Sequence, residues 1–183
     1  MSVGSSEDEI REAIVGQLRM DRRQLLGYGD DAVAYEIDAD TLLVIHTDVF
    51  VASTDLLPGM SLYEAGRKAV VMNVSDIVSK GAKPFTILFS WGIPRGMELS
   101  KIRQITRGLD SASHDYGLRL SGGDTSESTE LFLAGTALGF VARRQLLTRR
   151  TAHPGDIVAA TGVFGLTSIA FKVLLEEEHA GDE

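Results

Sequence analysis

Hydrophobic positions along the chain change period several times, and each change marks an element. Ile10, Ile14 and Leu18 recur at helical spacing behind Ser6 and Glu9, a capping-box pair, and predict a first helix over about 7–19. The residues before it, 1–6, read as disordered. Apolar residues then crowd 33–37 and 41–47 on either side of Asp38-Ala39-Asp40, the pattern of a hairpin whose second strand ends on Asp48. After the break at Pro58-Gly59, residues 61–80 read as a helix stopped by Gly81. It is apolar nearly all round, and so predicts a buried helix. Residues 85–92 form a strand, Ser100 opens a helix to about Tyr116, Leu118–Leu120 is a short strand, and 130–142 is a longer one. The order β-β-α-β-α-β-β predicts an α+β, or mixed α/β layered, domain over 1–145.

Beyond residue 145 the character changes. Residues 147–156 are a polar connector, 157–161 a predicted strand, Gly162-Val-Phe-Gly165 a glycine turn, and Leu166 to His179 a helix with more apolar surface than it can bury alone. Residues 146–183 therefore read as a connector and the beginning of a truncated C-terminal domain.

Composition narrows the chemistry. Hydrophobic content of 44% and charged content of 24% in 183 residues suit a globular domain. A net charge of −8 argues against nucleic-acid or anionic-membrane binding, because the field repels phosphates. An acidic protein that handles phosphates recruits a divalent cation to bridge the like charges. There are no cysteines, which excludes disulfides, thiolate metal sites and cysteine nucleophiles. No apolar run is long enough to span a membrane, and the acidic N-terminus is unlike a signal peptide, so a cytoplasmic location is expected.

Four aspartate sites stand out. Asp30-Asp31 lies between Gly29 and Ala32, Asp48 ends an apolar strand, Asp76 sits on the apolar helix one turn after Asn73, and Asp124 follows Gly122-Gly123 and precedes Thr125. Magnesium favours carboxylate oxygens with substrate phosphates completing its shell. In phosphoryl transfer the protein mainly positions groups and neutralises charge, so no dedicated nucleophile need be visible, and none is assigned. Each site also has a plainer reading: Asp-Asp after Gly as a turn, Asp48 as a strand-end cap, Asp76 paired with Lys80 at i+4, Gly-Gly-Asp-Thr as a tight turn. His46, His114, His153 and His179 show no metal spacing and read as structural or solvated. Arg149-Arg150 is a phosphate clamp or a solvated pair. Gly162–Gly165 is an anion site or a strand-to-helix turn, and no Walker or Gly-x-Gly-x-x-Gly motif is present.

Taken in order, the pieces resemble the thiamine-monophosphate kinase family, within the superfamily of aminoimidazole-ribonucleotide synthetase and selenophosphate synthetase. They are Gly29-Asp30-Asp31-Ala32, His46-Thr47-Asp48, Ser53-Thr54-Asp55-Leu-Leu-Pro-Gly-Met60, Gly66-Arg-Lys-Ala69, Asn73-Val-Ser-Asp76, Gly81-Ala-Lys-Pro84, Gly122-Gly123-Asp124-Thr125, Arg149 to Asp156 and Thr161 to Gly165. The resemblance implies an aminoimidazole-ribonucleotide-synthetase-like N-terminal domain whose strands pair across a homodimer. It implies transfer of the ATP γ-phosphoryl directly to thiamine monophosphate, giving thiamine diphosphate. Asp30, Asp48, Asp76 and Asp124 would hold several Mg2+ ions, with Asp31 and Thr47 as further ligands. Gly122, Gly123, Asp124, Thr125 and Arg149 would contact ATP, and Ser53, Thr54 and Asp55 would contact thiamine phosphate. Family chains continue into a full second domain with a further aspartate motif, whereas this chain stops at Glu183. The alternatives are another enzyme of the superfamily, of aminoimidazole-ribonucleotide synthetase, hydrogenase-maturation or selenophosphate synthetase type, or a catalytically silent dimerisation module.

Overall fold

A computed structural model of the chain describes residues 6–19 and 21–180; residues 1–5 of the expected disordered start lie outside these. The elements run α1 (Glu7–Val15), β1 (Gln24–Leu26), β2 (Val33–Glu36), β3 (Thr41–Val51), α2 (Ala52–Asp55), α3 (Leu62–Ser79), β4 (Lys83–Pro94), α4 (Leu99–Asp115), β5 (Arg119–Ser128), β6 (Phe132–Ala142), a 3₁₀ turn (Arg143–Gln145) and α5 (Leu166–Ala180). The strands form a six-stranded sheet in the order β1-β2-β3-β6-β4-β5. All neighbours are antiparallel except β4 and β5, which are parallel because α4 crosses between them. The expected mixed α/β layering is what the chain adopts.

Alternation decides the two faces. Leu42, Val44 and Phe50 of β3, Leu133 and Ala137 of β6, and Ile87 and Phe89 of β4 point to one side and are buried beneath α3 and α4. The helix α3 turns Ala65, Ala69, Val70, Asn73, Val74 and Ile77 into this layer. Its outer side leaves Val71 and Val78 exposed, so the helix is half-buried, not buried all round as its composition suggests. A capping box of Ser61 and Glu64 starts it. No described helix packs over the other face of the sheet. That face presents Val49, Leu88 and Phe140, with Phe85 against Phe140 at 5.5 Å between ring centroids.

Three expectations change. The Gly122–Thr125 segment is no turn: parallel pairing with β4 draws it into β5, from Arg119 to Ser128. Residues 157–161 form no strand, since no described strand lies alongside to supply a ladder. The first helix stops at Val15, because little covers Ile10, Ile14 and Leu18, which stay about half exposed.

Candidate functional site

The strand β2 stops pairing with β3 at Val33–Ile45, so residues 46–51 of β3 lie on a free edge. The turn Gly27–Ala32 wraps past that edge, and an open cleft of about 610 Å3 lies there. Its lining includes Asp30, Asp31, His46, Thr47, Asp76 and Arg149. Residues from both faces of the sheet reach it, because no neighbouring strand separates them.

One half of the cleft is built on Asp30 and Asp31. Lys80, at the C-terminal end of α3, is 2% exposed and pairs its ammonium with Asp30 and with Asp31 Oδ2, the latter at 2.7 Å. The chain after β6 folds back over this end. The Leu147 amide donates to the Lys80 carbonyl at 3.1 Å, and Arg149 then pairs its guanidinium with Asp31 and donates its amide to Asp30 Oδ2 at 3.3 Å. Burial works against the Asp30 carboxylate, but Lys80 and the amides of Asp31 and Arg149 outweigh it and hold it below the usual range. Arg149, then Lys80, hold the Asp31 carboxyl at about 2. Burial likewise opposes the Lys80 charge, and the two aspartates overcome it and raise its pKa. Two acids meet two permanent cations here. Lys80 thus pairs with the turn aspartates and not with Asp76, its i+4 neighbour.

The other half is built on β3 and α3. His46, Asp48 and Asp76 bring ligand atoms within 4.8 Å of one another. His46 and Asp48 share the helix-facing side of β3, two residues apart. The buried Asn73 holds this stretch: its Oδ1 accepts from the Asp48 amide at 3.1 Å while its Nδ2 donates to the Ala69 carbonyl at 3.0 Å. It fits because Gly135 of β6 lies beneath; a Cβ there would come within 2.3 Å of Asn73 Nδ2. Asp48 Oδ1 accepts from the free-edge amide of Val49 at 2.7 Å. The Asp76 side chain is 33% exposed, so it reaches solvent at the cleft where its apolar surroundings suggested burial. Burial is still the largest influence and pushes its carboxyl up. His46 pulls it down, Asp31 and Asp48 push it up again, and Lys80 pulls it back in part. Among the described residues no lysine or arginine pairs with Asp48 or Asp76.

Two carboxylates and an imidazole whose ligand atoms lie close together, with no lysine or arginine of the described residues paired to them, are a donor set that a divalent ion can take. Of the predicted ligands, Asp30, Asp31, Asp76 and Thr47 line the cleft, with Asp48 beside it. Asp124 does not join them. The registers Val49–Ala134, Ala134–Ser90 and Ser90–Asp124 place it on β5 with β6 and β4 between, about 14 Å away and facing the uncovered side. Gly122, Gly123 and Thr125 are on the same edge strand. Gly123 has a local reason to be glycine: at φ 151°, a Cβ would lie 1.7 Å from the Phe89 carbonyl oxygen.

The Ser53–Asp55 segment is the short helix α2 at the end of β3. Asp55 Oδ2 accepts from the Val51 amide at 2.9 Å, and Oδ1 pairs with Lys68 at 3.2 Å. Ser53 donates its amide to Glu130 at 3.1 Å, and the Thr54 hydroxyl donates to Asp55 at 3.2 Å. Two participants escaped the sequence reading, Lys80 and His46. For His46 a signal existed: on a strand, i and i+2 share a face, so His46 had to accompany Asp48.

Residues 29–141 match the family described as AIR synthase related protein, N-terminal domain. Over 170 residues the chain is 34% identical to a thiamine-monophosphate kinase of Pyrococcus horikoshii, covering 93% of this chain and 54% of that protein. It is 37% identical over 156 residues to the Pyrococcus abyssi enzyme of the same name, covering 85% and 49%. Among solved structures it is similar to AaThiL complexed with AMPPCP and TMP, with 25% identity and a TM-score of 0.67, covering 80% of this chain and 43% of that one. The chain thus spans about half the length of the curated relatives it matches. With the family match running from the aspartate turn through the last sheet strand, the chain belongs to the AIR synthase related proteins and carries their N-terminal domain.

Proposed function

We propose that this chain is the nucleotide- and magnesium-binding part of a thiamine-monophosphate kinase, which moves the γ-phosphoryl of ATP onto thiamine monophosphate to give thiamine diphosphate. The observation that carries the reading is the carboxylate pair Asp48–Asp76, which no lysine or arginine of the described residues neutralises, at a cleft whose other wall holds Asp30, Asp31 and Arg149. Its relatives of 34% and 37% identity bear that enzyme's name, and AaThiL was solved with an ATP analogue and TMP.

Mg2+, when bound, would screen the phosphate charges and draw off charge developing on the transferred group. This chain's residues do the positioning. Asn73 fixes the backbone of Asp48, the β3 edge presents Asp48 and Thr47, and Asp76 comes from the facing helix turn. Arg149, 64% exposed at its side chain, can leave Asp31 for a phosphate at little cost. Gly122–Thr125 and Ser53–Asp55 are proposed to contact ATP and thiamine phosphate. We propose the uncovered sheet face as the surface for a homodimer. Thr47, Val49, Ser90 and Asp124 share that face, so pairing of two copies there brings Asp124 toward an interface. Residues 146–183 are proposed as a connector and the opening of a second unit. Ile157, Val158 and Phe164, each at least 88% exposed, support that assignment. No described helix is long and apolar enough to cross a membrane, and we propose a cytoplasmic location.

Formation of thiamine diphosphate from ATP and thiamine monophosphate in the presence of Mg2+ tests the reading. Calorimetry in which neither substrate binds would overturn it. A second reading, a nucleotide-binding and dimerisation module without turnover, is favoured by one observation: Lys80 already neutralises Asp30 and Asp31. Tight Mg-ATP binding with no product would select it.

A further inference from the structure

We propose that Lys68 is a positioning residue that ties the short helix α2 to the last helix, α5, so that docking of α5 sets the order of the Ser53–Asp55 segment. Its meaning for substrate binding rests on the reading that this segment contacts thiamine phosphate.

The two ends of α2 are held differently. At its start the Ala52 amide donates to the Leu131 carbonyl at 2.9 Å and the Ser53 amide to Glu130 at 3.1 Å, both in the turn between β5 and β6. At its end the bonds pass through Asp55. Oδ2 accepts from the Val51 amide at 2.9 Å and from the Thr54 hydroxyl at 3.2 Å, while Oδ1 accepts from Lys68 at 3.2 Å. The Lys68 ammonium also donates to the Asp55 carbonyl at 2.8 Å. One ammonium thus fixes both the side chain and the backbone of the residue that closes α2. Burial works against the Asp55 carboxylate, and the Val51 amide and Lys68 outweigh it and hold it below the usual range.

The ammonium is itself placed by two rings. It lies 5.6 Å from the centroid of Phe50 and 5.7 Å from that of Phe171, within reach of a cation–π contact to each. Phe50 is 1% exposed in the core, so its ring is fixed. Phe171 belongs to α5. Among residues 166–175 only Phe171 and Leu174 are not exposed; three apart, they share a face. Leu174 lines a small cleft with Leu57, Pro58, Gly59 and Met60, just beyond α2. A helix seated over so narrow a face opens at low free energy. With Phe171 in place, the flexible lysine head is confined over Asp55 and screened from water on that side. With α5 withdrawn, the ammonium hydrates and its hold on Asp55 slackens.

The test is amide hydrogen exchange, read by NMR, on the full chain and on Phe171→Leu, Lys68→Met and Lys68→Arg. Phe171→Leu should speed exchange of the Val51 amide by about two- to fivefold, the range set by one cation–π contact. Lys68→Met should speed it by about tenfold or more. Lys68→Arg should recover most of that loss, because a guanidinium can both pair with Asp55 and stack on the rings. The central β3–β6 amides should not change in Phe171→Leu, and the Lys68 Hε protons, shifted upfield between the rings, should move downfield. A Val51 amide that is unaffected in folded Phe171→Leu, or that changes only in step with the β3–β6 ladder, overturns the proposal. So does Lys68→Arg behaving like Lys68→Met. Calorimetry separates the reading beneath it: thiamine monophosphate should bind more weakly to Phe171→Leu, with Mg-ATP binding unchanged. Exchange that responds as predicted in a chain that binds no thiamine monophosphate upholds the tie and overturns the substrate reading.

Discussion

The two halves of the cleft hold similar acids in opposite electrostatic states. Asp30 and Asp31 meet Lys80 and Arg149, and their charges cancel. Asp48 and Asp76 have a histidine within 4.8 Å and, among the described residues, no lysine or arginine paired to them. The first half carries its countercharge in the chain; the second must obtain one from solution. Carboxyl groups respond accordingly: Asp31 is held at about 2, while burial drives Asp76 upward. An aspartate in a glycine turn is therefore not equivalent to one on a strand edge, even where motif spacing groups them.

The comparison breaks most strongly at Lys80. Lys80→Met leaves two carboxylates facing one another without their buried partner. It should cost about 3–5 kcal/mol in urea denaturation, the scale for removing one side of a buried ion pair. Millimolar Mg2+ should restore part of that loss by entering the vacated position. A cost below 1 kcal/mol would mean that the first half is not held by its lysine.

Asn73→Ala is the next largest. It strands the Asp48 amide and the support under β3, and should cost about 1–3 kcal/mol. It should weaken divalent-ion binding more than Arg149→Ala does, which calorimetry on both variants measures. The halves should also differ in pH dependence. The Asp31 carboxyl is depressed, so its stabilisation is complete above the unfolded value of 3.8 and disappears as pH falls toward about 2. The Asp76 carboxyl is raised, so its contribution has the other sign: the folded state is favoured as pH falls through its raised value, and ionisation above that costs stability. Without added metal, Asp76→Asn should therefore keep or raise the neutral-pH melting temperature, whereas Asp31→Asn should lower it. Equal losses in both would erase the distinction. The smallest effect belongs to Arg149→Ala. At 64% side-chain exposure its pair with Asp31 is screened by solvent, so the melting temperature should fall less than in Asp31→Asn, and the difference should shrink with added salt.

Most of the frame was legible because it is written in periodicity. The capped helix α3, the strand β3 with its inward Leu42, Val44 and Phe50, and the strand β6 all follow from alternation and turn residues. The Asp48–Asp76 pairing was legible too, from an aspartate at a strand end and another on an apolar helix. What escaped depended on partners far away in sequence. Gly122–Thr125 has the composition of a turn and became strand only because β4 lies parallel to it. Residues 157–161 have the composition of a strand and lack a described neighbour. Lys80 read as a surface i+4 partner of Asp76, because nothing local shows that a turn fifty residues earlier lies beneath it. His46 was overlooked for want of a second histidine, although its partners were carboxylates one strand repeat and one helix away.

The central claim is that a divalent cation enters at Asp48–Asp76 and not at the lysine-neutralised turn. Isothermal titration of Mg2+ into the unmodified chain, Asp76→Asn and Asp30→Asn decides it. The account predicts binding that is lost in Asp76→Asn and retained in Asp30→Asn. Binding retained in Asp76→Asn and lost in Asp30→Asn would contradict it.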